Sequence, residues 1–359
     1  MKPASVEEVQ DAVTRHARLL PHGRATKPPL GSAPEEVVRL DMTGFSTITE
    51  YEPDEFTFTA GSGASLREIE KTLSENCQYL PFEPPLIDEG ASLGGTVAAG
   101  LSGSGRLRFG GVRDFVIGAR FVDGTGKLVH GGGKVVKNAA GFDLPKLMVG
   151  GMGRLGVLID LTFKVFPAPR AWRSIRVSCR DFADALGVMT TLAGKPLDPE
   201  AMDIEPPATL MVRVAGDDAS IDKHAERVGK TADRPYEILP PEDDRSHWES
   251  GRNFKWVPDG HLLIKVALTP ARLAGLEQAL LPADPPRRYA VAGNLAWIAW
   301  PADRPAEDLD LAGLGGMVVR GPLPSDASPR LGARQHGAAA FAKCIKTALD
   351  PQNRFPPLI

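Results

Sequence analysis

The sequence predicts an α+β protein: a glycine-rich first domain shaped to line a ligand, then a small α+β domain after it. Three observations carry this. Glycine is concentrated, with 18 of the chain's 38 glycines between Gly94 and Gly156, where an even spread would put about seven. Short β-branched and apolar runs at 115–117, 119–122 and 157–165 punctuate those glycines and read as strands. Beyond residue 170, strand-like runs at 176–179 and 210–214 alternate with helical patterns at 182–192 and 220–228, separated by Pro- and Asp-rich spacers. Glycine permits positive φ and leaves N–H groups uncovered, so such loops on a rigid sheet suit an extended anionic ligand such as a dinucleotide.

In chain order, Ser5 with Glu8 makes a capping box, and Val6, Val9, Val13, Ala17 and Leu20 follow at helical spacing, so a helix is expected over 6–19. It delivers the loop 21–27, PHGRATK, which offers backbone donors, a hydroxyl and the cations Arg24 and Lys27. Residues 55–60 alternate as a half-buried strand, and Ser65 with Glu68 caps a helix to about residue 75 with Leu66, Ile69 and Leu73 as its buried stripe. Pro81, Pro84 and Pro85 fix an extended lead into the loop at 92–95, and a short helix is expected to start at Ala98, Ala99 and Gly100. Residues 122–128 read as a hairpin. The GxGxxG at 151–156 is preceded by an N-capped helix and followed by a strand. That is the reverse of the Rossmann order, so a nicotinamide-type fold is rejected.

Bulk properties exclude several classes. A net charge of -3 with no basic cluster leaves no footprint for nucleic acid. No run of about 18 apolar residues occurs and the N-terminus is amphipathic, so no direct membrane span and a cytoplasmic location, with any membrane association through partners, are expected. Cys77, Cys179 and Cys344 lie far apart, so this chain alone is expected to build neither a zinc site nor an iron–sulfur cluster. His224, His247, His261 and His336 are scattered without metal-ligand spacing, and no metal is expected.

Four motifs, GGTVA from Gly94, GVRDFVIG from Gly111, KNAAGFDL from Lys137 and GRLGVL from Gly153, occur in an order and spacing that resembles the PCMH-type FAD-binding domain of the vanillyl-alcohol-oxidase family. Within it the chain resembles the FAD-binding subunits of bacterial glycolate oxidase (glycolate dehydrogenase). The resemblance implies a two-subdomain FAD-binding domain over 1–169, an α+β cap over 170–335 and a segment over 336–359 that packs back on the FAD domain. It implies cofactor contacts from Gly23, Arg24, Ala25, Thr26, Gly94, Gly95, Thr96, Ala99, Gly100, Gly103, Asp114, Gly156, Val157 and Ile159. Relatives with covalent flavin carry a histidine after the loop glycine; here His22 precedes Gly23, so non-covalent FAD is expected.

The implied activity is that of a flavoprotein oxidoreductase subunit acting on CH–OH groups, converting glycolate or a similar short 2-hydroxy acid to the 2-oxo acid. The implied partners are a second FAD-containing subunit and an iron–sulfur subunit in a hetero-complex, and the missing histidine cluster assigns the substrate step to the companion subunit. An autonomous FAD-dependent dehydrogenase and a largely structural flavin-fold subunit are the alternatives. No catalytic residue is assigned; Lys137, Arg113 and His261 are the candidates. Arg106, Arg108 and Arg113 form a cationic set suited to a reduced flavin, and Arg113 with Asp114 reads equally as an ion pair bracing a turn.

Overall fold

Val157–Lys164 is apolar along most of its length and buried at six of its eight positions, which puts it in the middle of a sheet. The computed structural model, which describes residues 1–133, 142–324, 327–332 and 339–358, pairs it antiparallel with Thr57–Gly61 on one side and Val116–Val122 on the other. Ile48–Glu52 and Leu128–Gly132 complete a five-stranded sheet. On one face Val122, Val157 and Ile159 pack against Val9, Ala12 and Val13 of the helix Val6–Arg15. On the other, Phe58, Phe121 and Leu158 join Leu66, Ile69 and Leu73 of the helix Leu66–Ser74.

The first helix is capped as expected, with the Glu8 N–H donating to Ser5 Oγ at 3.3 Å, but it stops at Arg15 rather than running on to 19. His16 turns extended at ψ 135° because Leu19 and Leu20 belong to a strand. Leu19–His22 pairs parallel with Val38–Asp41 in a separate two-stranded sheet, and both leucines are buried there. The spacing of Ala17 and Leu20 continued the helical phase, and tertiary pairing overrode it.

A nine-stranded antiparallel sheet follows, built from two halves of like topology. In the first, Ala171–Ser178, Ala201–Glu205, Thr209–Gly216 and Tyr236–Ile238 alternate with the helices Phe182–Ala193 and Ile221–Ala232 as a βαββαβ unit. In the second, His261–Ala267, Arg287–Ala290, Leu295–Pro301 and Gly316–Arg320 repeat the order around the helix Pro270–Leu280, with a 3₁₀ turn, Ala306–Asp308, where the second helix would stand. The halves meet edge to edge with Ile204 opposite Tyr289.

Period-two alternation divides this sheet by face. Ile204, Val212, Ile264, Tyr289 and Ile298 pack under the helices. Leu263, Trp297 and Val319 turn the other way and merge with the core of the first domain. The helix Ala339–Leu349 then returns the chain to that domain. Its buried Lys346 donates to the carbonyl oxygens of Arg154 (2.7 Å) and Phe355 (3.0 Å) and to Asp350 (2.6 Å). Among the described residues no helix is long and apolar enough to cross a membrane. His336 lies outside the described residues.

Candidate functional site

A cavity of about 480 Å³ opens between the two-stranded and five-stranded sheets of the first domain. Three segments wall it: the loop after Leu19–His22, the helix Leu93–Ala99, and residues 151–156 leading into Val157–Lys164. The first is turned by Ala25 at φ 52° and by the 3₁₀ turn Pro28–Gly31, whose two prolines preset the backbone. Leu323, just past the strand Gly316–Arg320, reaches the same cavity from the second domain.

The helix in this wall starts at Leu93, not at Ala98. Ser92 is its N-cap residue, and Gly100, with φ 63°, ends it. Ala98, Ala99 and Gly100 are therefore its last turn, because Gly100 in the left-handed region closes a helix. At Gly94 a Cβ would lie 2.6 Å from Ser62 Cβ and 2.8 Å from the Ser62 carbonyl oxygen, so only glycine lets the helix seat this deep.

The GxGxxG segment has a different job from a Rossmann loop. The Gly150 N–H donates to the Val97 carbonyl and the Met152 N–H to the Ala98 carbonyl, each at 2.9 Å. The segment thus satisfies the end of the neighbouring helix. Asp143 caps the helix Leu144–Met148 before it, accepting from the Lys146 N–H at 3.2 Å.

The polar wall is incomplete without a ligand. Ser62 Oγ and Ser92 Oγ, both of residues lining the cavity, are buried without a hydrogen-bond partner, as is Thr96 Oγ1 one turn inside the helix. A buried hydroxyl without a partner costs about 1–3 kcal/mol. Lys27 also lines the cavity and is buried; its Nζ donates to Thr26 Oγ1 at 3.0 Å. Burial pushes this ammonium down to about 8, with Glu89 opposing. Orphaned hydroxyls, a glycine cradle and a buried cation are the donor set a dinucleotide diphosphate needs.

Of the residues expected at the cofactor, Gly23, Arg24, Ala25, Thr26, Gly94, Gly95, Ala99 and Gly156 line this cavity. The others lie off the lining. Thr96 sits behind it. Gly100 is the helix end, packed against Gly150. Gly103 lies beside Glu83 on a smaller cavity between the domains. Asp114 braces a turn by accepting from the Gly111 N–H at 2.9 Å. Val157 and Ile159 face the N-terminal helix, because strand alternation leaves Gly156 and Leu158 to face the cavity.

The catalytic candidates do not converge. Lys137 lies outside the described residues. Arg113 is exposed, and its charge acts on Asp143. His261 stands at the start of its strand with Nδ1 3.0 Å from the Asp259 carbonyl. Arg108 is taken up by Asp198, with Nη1 2.9 Å from its carbonyl oxygen. Lining residues that sequence reasoning had not singled out as contacts include Ser62, Ser92, Arg39 and Leu323; the loop positions of Lys27 and Ser92 carried a signal.

The two domains are joined by a buried ion pair and further polar contacts. Arg213 of the second domain meets Glu83 of the first, whose other oxygen accepts from the Gly105 N–H at 2.7 Å. Ser104 Oγ donates to Asp203 at 2.5 Å, and burial pushes the Asp203 carboxyl up to about 7. Arg320 reaches Glu89 at 2.7 Å.

The mixed sheet-and-helix architecture and the cavity with its unsatisfied hydroxyls suit a dinucleotide-binding protein. Residues 1–132 match the family model described as "FAD binding domain": this part of the chain is a PCMH-type FAD-binding domain, and FAD is its cofactor. Over 173 residues the chain is 44% identical to glycolate oxidase subunit GlcE of Escherichia coli (strain K12), covering 48% of this chain and 49% of that protein. It is 29% identical over 166 residues to a D-lactate dehydrogenase of Anaerostipes hadrus (46% and 34% covered). It is 31% identical over 175 residues to a D-2-hydroxyglutarate dehydrogenase of Xanthomonas citri pv. viticola (46% and 36% covered). The match thus spans about half or less of these relatives' length. A solved alkyldihydroxyacetonephosphate synthase superposes with TM-score 0.73 at 16% identity, covering 99% of this chain and 74% of that one, a likeness of fold.

Proposed function

We propose that this chain is the FAD-binding subunit of a glycolate oxidase-type complex that converts glycolate or a similar short 2-hydroxy acid to the 2-oxo acid. The observation that carries the reading is the 44% identity with glycolate oxidase subunit GlcE. The partners in this reading are a second flavoprotein subunit and an iron–sulfur subunit. Cys77, Cys179 and Cys344 are free and lie far apart in the sequence, which fits a cluster held on another chain.

FAD supplies two-electron oxidation of a C–H bond next to a hydroxyl. The residues of this chain hold it: Lys27 and Arg24 offer charge to the diphosphate, Ser62 and Ser92 offer hydroxyls, and the helix Leu93–Ala99 with the 151–156 loop shapes the wall. Binding is non-covalent in this reading, consistent with His22 being turned onto its own loop, Nδ1 2.9 Å from the Gly23 carbonyl.

The test is the visible spectrum of the purified chain before and after acid precipitation, followed by glycolate turnover with a dye acceptor. Flavin in the acid supernatant, and turnover that requires co-purified partners, are expected. Yellow protein in the acid pellet refutes non-covalent binding. Turnover by the isolated chain replaces the complex with an autonomous dehydrogenase.

A further inference from the structure

Behind the cofactor cavity, segments from three distant parts of the chain meet on one side chain. Gly151, Met152, Gly153, Leu155 and Gly156 line the cavity, while Arg154 among them is not part of the lining. Its Nη2 donates to the Ser32 carbonyl oxygen at 2.9 Å and its Nη1 to the Pro357 carbonyl oxygen at 3.0 Å. Ser32 follows the 3₁₀ turn Pro28–Gly31 at the far end of the first cofactor loop and lines the cavity. Pro357 belongs to the tail after the helix Ala339–Leu349 and lies off the lining. The two loops also touch directly. At Gly153, with φ 70°, a Cβ would lie 2.9 Å from Pro21 Cγ and press on the start of the first loop.

The tail is itself fixed. Asp350 is fully buried and accepts from the Arg354 N–H at 2.8 Å, from the Phe355 N–H at 2.9 Å and from Lys346 Nζ at 2.6 Å. The turn so formed presents the Arg354 carbonyl to the Leu19 N–H at 2.8 Å, at the start of the strand Leu19–His22. Arg354 Nη1 adds a bond to the His16 carbonyl at 2.7 Å. The tail therefore holds the first cofactor loop from both sides, before it at Leu19 through backbone and after it at Ser32 through Arg154.

Arg154 is a costly way to fill this space. It is 4% exposed, its Nε is buried without a partner, and among the described residues no carboxylate pairs with it. Burial, with Arg39 adding to it, pushes its guanidinium down to about 10. An apolar side chain would pack here without burying an unpaired charge. It could not reach carbonyl oxygens on two separate segments with one rigid fork.

We propose that Arg154 is a positioning residue for FAD: it clamps the first cofactor loop to the C-terminal tail, so that the tail, which lines no part of the cavity, sets how tightly the cavity holds its cofactor. FAD binding and the seating of the tail are then linked, and each strengthens the other. The clamp holds whichever acid the complex oxidises, and its test needs no turnover.

Hydrogen exchange of the full chain, read by mass spectrometry with and without FAD, follows peptides covering residues 350–358. In the wild type FAD is expected to slow exchange there, at the amides of Arg354 and Phe355, which are bonded to Asp350 and lie off the cavity lining. Arg154→Lys should lose that effect, since its ammonium keeps the charge and cannot span both carbonyls. By calorimetry, Arg154→Lys and Arg154→Gln should bind FAD roughly 10–100-fold more weakly, the loss of a hydrogen bond from a charged group. Exchange in the cap helix Phe182–Ala193 should be the same in all three proteins.

Wild-type tail amides that exchange at one rate with and without FAD overturn the clamp, and that result needs no variant to fold. Unchanged FAD affinity in Arg154→Lys overturns it as well. Weaker affinity with faster exchange through the cap helix reduces Arg154 to a residue that stabilises the fold as a whole. A wild type that takes up no FAD counts against the cofactor and the clamp together.

Discussion

Replacing Lys27 by methionine tests whether the first-domain cavity is built for a diphosphate. In the unloaded protein the Lys27 ammonium is buried with Thr26 Oγ1 as its hydrogen-bond partner. Its fall from 10.5 to about 8 corresponds to about 3 kcal/mol at about 1.4 kcal/mol per pKa unit. Below pH 8 that cost weighs on the unloaded fold. Between about pH 8 and 10.5 the unfolded chain holds a proton that the folded chain has released, so the unloaded wild type gains stability as pH rises through that window.

Lys27→Met removes the cost and its share of the pH dependence together. The unloaded variant should melt several degrees higher at pH 7, and its stability should rise less steeply than the wild type's from pH 8 to 10.5. The same change removes a charge-assisted hydrogen bond to the ligand, worth about 1.5–3 kcal/mol, so FAD affinity measured by calorimetry should fall roughly 10–100-fold. An unloaded variant that melts lower, together with unchanged FAD affinity, would refute the reasoning, since Lys27 would then be a packing residue.

Two further substitutions address the cavity wall and the domain seam. Gly94→Ala brings a Cβ to 2.6 Å from Ser62 Cβ and 2.8 Å from the Ser62 carbonyl oxygen; it should cost about 1–3 kcal/mol and deplete bound FAD with the circular dichroism spectrum unchanged. Gly187→Ala, in the helix Phe182–Ala193 with nothing within 4 Å of the added carbon, should instead stabilise by about 0.5–1 kcal/mol and leave FAD content alone. Burial raises Asp203 from 3.8 to about 7, so the folded state binds the extra proton and stability is lost as pH rises from about 4 to about 7. Asp203→Asn should flatten that slope in urea titrations across this range, and a slope that survives the substitution assigns it to another group.

The strands of the first domain were legible because their apolar runs are bounded by glycines, and their observed limits fall close to the expected ones: Val157–Lys164 against 157–165, and Val116–Val122 as one strand where two short runs were read. Helix limits were harder. Ala17 and Leu20 kept the phase of the first helix although Leu19 and Leu20 pair with another strand. Gly94 and Gly95 hid a helix start, since glycine disfavours helices and only packing against Ser62 explains its presence there. The loop PHGRATK pointed to half of the cavity. Ser62 and Leu323 carried no local signal, because an unpartnered hydroxyl and a wall contributed from the second domain exist only once the chain has folded. The doubled topology of the second sheet was equally silent, because its two halves share an order of elements and no sequence motif.

That doubling makes the cap uneven in stiffness. Within each half, long ladders hold neighbouring strands, eight registered pairs between Ala171–Ser178 and Thr209–Gly216 and seven between His261–Ala267 and Leu295–Pro301. Across the join there is one, Ile204 with Tyr289, helped by the Ala292 N–H on the Met202 carbonyl at 2.8 Å. A bend along that line changes the curvature of the whole surface overlying the flavin domain while sacrificing fewer ladder bonds than a bend through either half. The join is therefore the natural crease of the cap, with Arg213 anchoring the panel on one side of it and Arg320 the panel on the other.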